Sequence, residues 1–348
     1  MANPRWRYRP EGSNWGDFGA DDQWGRLNLI TPARRLAGLA EAVTGITFCL
    51  SLPLDYPGGN LLNPRRYPPV IRPTLRDGRP SFNCTLGPDS TDVVSDDLAL
   101  LHLQYSTQWD GLSHVGGLFD ADGDGVAERL YYNGFRAGVE ILGPSDPAEA
   151  GAIGPIGAQR TSNATALGIE QMAMHGVQGR GVMVDLRAHV GDERKLVGYA
   201  EMMAVLEADH IVVNPGDMLC LHTGFAQRIL EMRGTPDPEV PHHACAVLDG
   251  RDRRLLDWIS ASGLAVIVAD NYAVEAHPAE PGAETCCSTL PLHEHCLFKN
   301  GIHLGELWHL TPLAEWLRTH QRSRFLLTAP PLRLPGAVGS PVTPIATV

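Results

Sequence analysis

Ala265-Val-Ile-Val-Ala-Asp270 is a run of five apolar residues, three of them β-branched, closed by an acid. It is too short for a helix and has no polar alternation, so it reads as a strand buried on both faces. Val182-Met-Val-Asp-Leu186, Met218-Leu-Cys-Leu-His-Thr-Gly224 and Phe325-Leu-Leu-Thr-Ala-Pro330 have the same character. Between and around these runs lie helical patterns at 164–175, 200–209, 253–262 and 312–320. Buried strands alternating with helices predict an α/β domain whose core is a mixed β-sheet flanked by helices. The first 90 or so residues differ, with turn-rich stretches such as Asp55-Tyr-Pro-Gly-Gly-Asn60 and Asn63-Pro-Arg-Arg-Tyr-Pro-Pro69. Within them one helix is expected after Thr31, with Thr31 as its cap and Pro32 at the first helical position. A strand is expected from Gly45. The expected organisation is one domain over 1–348, with 1–90 as an irregular N-terminal arm packed on it.

The chain has 348 residues, 43% hydrophobic and 20% charged, which is ordinary globular composition. Forty acidic residues against 28 basic ones give a net charge of −12. Such a surface repels phosphate backbones and anionic lipid, which excludes nucleic acid as the expected partner. No apolar run approaches the ~18 residues of a membrane span. The basic N-terminus has no hydrophobic core behind it, and the seven cysteines include no paired C-x-x-C motifs. A cytoplasmic chain with reduced thiols, including adjacent Cys286 and Cys287, is expected.

The richest segment for chemistry is Leu101-His-Leu-Gln-Tyr-Ser-Thr-Gln-Trp-Asp-Gly-Leu-Ser-His114. Asp110 and His114 offer an oxygen and a nitrogen ligand four residues apart, Gln108 is a third donor, and Gly111 permits a tight backbone. A turn carrying a solvated Asp and a capping His has the same spacing. A second cluster, Leu292-His-Glu-His-Cys-Leu-Phe-Lys-Asn-Gly-Ile-His-Leu-Gly-Glu306, crowds His293, His295, His303 and Glu306 together. Imidazole with carboxylate suits Zn²⁺ or Mn²⁺. Asp120-Ala-Asp-Gly-Asp-Gly125 imitates a calcium loop, but Tyr131 stands where the bidentate Glu belongs, so it reads as an acidic surface turn. The signatures of a serine nucleophile elbow, a P-loop and an H-E-x-x-H zinc helix are missing.

Gln104-Tyr-Ser-Thr-Gln108-Trp-Asp110-Gly-Leu-Ser-His114 resembles the H-x-G-T-H-x-D-x-x-x-H hallmark of the cyclase family of metal-dependent hydrolases, which includes kynurenine formamidase and isatin hydrolase. Thr107, Asp110 and His114 match, whereas both leading histidines are Gln and the glycine is Ser106. Family-like stretches at 15–30, 179–186, 216–224 and 330–342 extend the resemblance over nearly the whole chain, closest to longer bacterial members with a T-Q-W-D variant. The resemblance implies a swivelling β/β/α fold, a homodimer and a small-molecule substrate. It implies metal ligands at Asp110, His114 and Glu306, with the late histidine at His293 or His295 and His293 preferred. An amide oxygen is a weaker donor than imidazole, so Gln104 and Gln108 favour one divalent ion (Zn or Mn) over two. Gln108 remains a candidate ligand.

A bound divalent ion lowers the pKa of its water from 15.7 towards about 7 and polarises a carbonyl. The expected reaction is hydrolysis of a C–N or C–O bond in a cyclic amide, lactone or N-acyl substrate. His114, His295 and Glu306 are the expected catalytic groups, with whichever of His293 and His295 is not a ligand shuttling the proton, and Trp109 is either an aromatic wall for the substrate or a core residue. A metal-dependent ring closure or dehydration is the alternative enzymatic reading, and a non-catalytic binding protein the third.

Overall fold

A computed structural model describes residues 5–151, 160–282 and 287–348. Nine strands among them form one sheet: β1 (Thr47–Cys49), β2 (Gln108–Asp110), β3 (Gln178–Asp185), β4 (Met218–His222), β5 (Val266–Ala269), β6 (His303–Glu306), β7 (Arg324–Thr328), β8 (Gly339–Pro341) and β9 (Ile345–Thr347). Their order is β1-β9-β7-β3-β4-β5-β6-β2-β8. The central four, β3 to β6, run parallel, and the strands on either side pair antiparallel. All four runs read as buried strands lie in this sheet.

Helices cross between the parallel strands because parallel neighbours cannot be joined by a tight turn. Tyr199–Ala208 lies between β3 and β4, Arg253–Ser262 between β4 and β5, and Thr311–Thr319 follows β6. Each lies within a residue of its predicted place. Asp252 caps the second of these by accepting from the backbone N–H of Arg254 and Leu255. The predicted helix at 164–175 is shorter, Glu170–His175, because Asn163–Ala164 pairs as a strand with Ile141–Leu142. Thr31 caps the arm's helix Pro32–Leu39, accepting from the Arg34 N–H.

Side chains alternate across the sheet, so its two faces feed two cores. Val182, Val184, Leu219, Leu221, Ile267 and Leu304 face one; Met183, Met218, Cys220, Val266 and Val268 face the other. The arm packs on the domain through the buried Trp15, Leu27, Leu50 and Leu52. Trp15 donates its indole N–H to the Phe298 carbonyl at 2.7 Å. The arm also carries a short exposed hairpin, Leu75–Arg76 against Arg79–Pro80, and its strand Val70–Pro73 pairs with Asp97–Leu100 just beyond it. Cys287 and five other described cysteines are free thiols, and Cys286 lies outside the described residues. No helix among the described residues is long and apolar enough to cross a membrane.

Candidate metal centre

The pairing of β6 with β2 decides what meets at this end of the sheet. Glu306 lies opposite Gln108 and Leu304 opposite Asp110. Cross-strand partners share a face, as do alternate residues along a strand. Gln108, Asp110 and Glu306 therefore project together to one side, and Trp109 to the other. Thr107 locks the junction, donating its hydroxyl to the Leu307 carbonyl and accepting from the Leu52 N–H at 2.9 Å. At Gly111 a Cβ would lie 2.8 Å from the Val338 carbonyl oxygen, so a side chain here would push the neighbouring strand away.

His293 reaches the same place from the short turn Pro291–His293. The buried carboxylate of Glu275 holds that turn: Oε1 accepts from the His293 backbone N–H at 2.9 Å and from its Nδ1 at 2.8 Å, and Oε2 accepts from the Leu292 N–H at 2.9 Å. With Nδ1 donating, the free lone pair is on Nε2, which faces Glu306 Oε1 at 3.2 Å and Asp110 Oδ2 at 3.8 Å. A lone pair opposite two carboxylates is repulsive unless a proton or a cation lies between them. Burial opposes the imidazolium, but the bonds to Glu275 and Glu306 outweigh it and raise His293 to about 10. Burial would also raise Glu306, yet the hydrogen bond from His293 brings it below the usual carboxylate range. Asp110 is raised by burial, with the Glu306 charge adding and His114 and His293 opposing.

One ligand atom each from Asp110, His293 and Glu306 lies within 4.8 Å of the others, and all three residues are buried. Gln108 spans the carboxylates, its Nε2 3.1 Å from Glu306 Oε2 and 3.4 Å from Asp110 Oδ1. Gln108 Oε1 and Asp110 Oδ2 are buried without a hydrogen-bond partner. An orphan acceptor is rare in a protein interior, and Asp110 Oδ2 beside Glu306 and the His293 Nε2 makes a donor set that fits a divalent cation; Gln108 Oε1 faces away from the acids while its Nε2 bonds them. His114 sits at the rim, partly exposed, its Nε2 3.7 Å from Asp110 Oδ1.

The structure does not bring the other expected residues here. His295 points away: its Nε2 meets Ser260 Oγ at 2.8 Å, and burial, with Lys299 and Arg26, lowers it to about 4. It is two residues beyond His293 on a helical path, about 200° around, so it cannot share the centre as a proton shuttle. Trp109 is no pocket wall. It is fully buried in the opposite core, edge-on to Trp308 at 5.0 Å, with its N–H on the Ala329 carbonyl. His303 lies three residues before Glu306, and strand alternation turns it to the far face. Asp120, Asp122 and Asp124 form the expected acidic turn, where Asp120 accepts from the N–H groups of Gly123 and Gly125.

Sequence reasoning missed Glu275, although a carboxylate inside Ala273-Val-Glu-Ala276 was a usable signal. It also missed the buried chain Asp185–His222–Thr311, in which His222 bonds Asp185 at 2.7 Å and Thr311 at 3.0 Å and so ties β3 and β4 to the last helix.

Comparison with known proteins agrees with this architecture. The sequence model of the Cyclase family matches residues 50–276. A crystal structure of a cyclase is 32% identical, covers 97% of this chain and 97% of its own, and superposes with a TM-score of 0.72. Isatin hydrolase A from Ralstonia solanacearum is 15% identical over 91% of this chain and 97% of its own, with a TM-score of 0.54. An isatin hydrolase bound to the product analogue thioisatinate is 13% identical over 91% and 99%, with a TM-score of 0.51. No curated protein matches the sequence. The mixed sheet with flanking helices is that of cyclase-family structures. The chain belongs to the cyclase family.

Proposed function

We propose that this protein is a metal-dependent hydrolase that cleaves a C–N or C–O bond in a small cyclic amide, lactone or N-acyl substrate, using one divalent ion of the zinc or manganese kind. The observation that carries this reading is the buried meeting of Asp110, Glu306 and the Nε2 of His293, with Asp110 Oδ2 lacking a hydrogen-bond partner. The isatin hydrolases of like fold, one of them holding a product analogue, support it.

Asp110, His293 and Glu306 would hold the ion, with Gln108 completing the set once its amide is turned so that the oxygen faces inward. A divalent ion bound there supplies Lewis acidity, which acidifies water and polarises a carbonyl oxygen. Glu275 fixes the tautomer of His293, so that Nε2 and not Nδ1 faces the centre. His114, in reach of both Asp110 and solvent, carries the proton to the leaving group, a role worth roughly 10²–10⁴-fold. Asp110, His293 and Glu306 are each buried, which strengthens the charge interactions among them.

Metal analysis of protein purified without chelator tests the centre, and about one ion per chain is expected for the wild type and none for Asp110→Ala. Cyclic amides, lactones and N-formyl compounds then test the reaction. Hydrolysis with uptake of water, lost in Asp110→Ala, supports the reading. A chain that retains no ion, or an Asp110→Ala variant as active as wild type, overturns it.

A further inference from the structure

Beside the centre runs a groove of about 500 Å³ between the arm and the loop 272–278, lined by Leu62, Asn63, Arg65, Tyr272 and His277, with four prolines in its walls. That volume suits a small organic molecule. Its position ties it to the ligands. Tyr272 and His277 bracket Glu275, which holds His293. The Asn271 carbonyl accepts from the N–H of Leu307, the residue after Glu306. A small adjoining cavity lined by Arg66, Gln104 and Leu307 shares Leu62, Asn63 and Tyr272 with the groove.

The charge of the groove runs against that of the chain. In a protein of net charge −12, two arginines stand here, and among the described residues neither has a carboxylate within 4 Å. They differ in employment. Arg66 donates to the Gln104 carbonyl at 2.6 Å, and its charge acts on Asp110 and Glu306, so it balances the acids of the centre. Among the described residues the Arg65 side chain has one hydrogen bond, at 3.5 Å to Asn63 Oδ1, and it lines the groove itself. Arg65 is the one arginine of this groove's wall, which His242 and His277 also line. The Tyr272 and His277 rings meet edge to face, 6.1 Å between centroids, and with the prolines give flat apolar surfaces. His277 Nδ1 is buried without a partner.

We propose that this groove is the recognition site for the substrate of the metal centre and that it selects a small ring-bearing molecule carrying a carboxylate or similar anion, with Arg65 as counter-ion. This rests on the hydrolase reading of the centre. A guanidinium recognises a carboxylate through two parallel N–H donors, and a lysine in its place keeps the charge without that fork.

Calorimetric binding of phenylacetate and of its neutral counterpart phenylacetamide tests the inference, on wild type, Arg65→Gln and Arg65→Lys, each with and without added zinc. Wild type is expected to bind phenylacetate at least tenfold more tightly than phenylacetamide. Arg65→Gln is expected to reduce that preference to within twofold, and Arg65→Lys to retain part of it. Arg65 is exposed, so the melting temperature of both variants should match wild type. Equal binding of the two probes, binding of neither, or a preference that Arg65→Gln leaves intact overturns the inference. A preference that needs zinc and ignores Arg65 assigns the carboxylate to the ion and also overturns it. An Arg65-dependent preference in a protein that hydrolyses nothing supports the groove and sinks the hydrolase reading alone.

Discussion

Replacing Glu275 by Gln changes one atom in a residue that touches no substrate, and the structure gives it a large effect. Three donors converge on the two oxygens of this carboxylate: the N–H groups of Leu292 and His293 and the Nδ1–H of His293. A glutamine has one acceptor oxygen. If that oxygen takes the place of Oε1, the amide NH₂ meets the Leu292 N–H, donor against donor. One buried N–H is then unsatisfied, at a cost of about 1–3 kcal/mol. The remaining bond to Nδ1 loses its charge assistance, which roughly halves its strength. The imidazole becomes less basic and less firmly aimed, and loss of such an outer partner typically weakens metal binding by about 10–100-fold. Competition of the purified variant with a fluorescent zinc chelator measures the affinity, and thermal unfolding of the metal-free protein measures the stability. Glu275→Gln should bind zinc at least tenfold more weakly and melt several degrees lower, whereas combined with His293→Ala it should cost little further affinity. Zinc affinity within twofold of wild type, with an unchanged melting temperature, would refute the idea that Glu275 positions His293.

Trp109→Ala should destabilise the protein by about 3–5 kcal/mol, because it removes a fully buried indole, its contact with Trp308 and its bond to Ala329. Urea unfolding measures this, and substrate discrimination by the variant's folded fraction should equal wild type. His303 is held neutral: burial, with His175 adding, lowers it to about 3, against about 6.5 in the unfolded chain. Between those values the unfolded state binds the proton that the folded state refuses, so stability falls as pH drops from 6.5 towards 3, by at most about 1.4 kcal/mol per unit. Denaturant unfolding at several pH values should show that slope, and His303→Leu should flatten it.

Much of the fold was legible because burial on both faces leaves a mark in the chain. Ala265-Val-Ile-Val-Ala269 has no polar side chain to present to water, so it had to be a central strand. Helix caps such as Asp252 and Thr31 are local chemistry and were readable in the same way. Trp109 stayed open between pocket wall and core because the sequence places it beside Gln108 and Asp110, whereas adjacency along a strand means opposite faces of a sheet. His295 was misplaced for the matching reason on a helical turn, where two residues apart is nearly the other side.

The sequence by itself determined the layered α/β architecture, the candidate donors around Asp110 and around His293 to Glu306, and the resemblance that joined these two segments. Only the tertiary structure chose among the donors. The β6–β2 register sets Glu306 against Gln108 nearly 200 residues away, and that register depends on strand pairing that no local propensity encodes. Glu275 takes Nδ1 of His293 and turns its Nε2 towards Asp110 and Glu306, while His295 faces Ser260, and Arg65 lies on the groove beside the arm. Each of these is a contact between distant segments, and distance along the chain says nothing of distance in the fold until the sheet has closed.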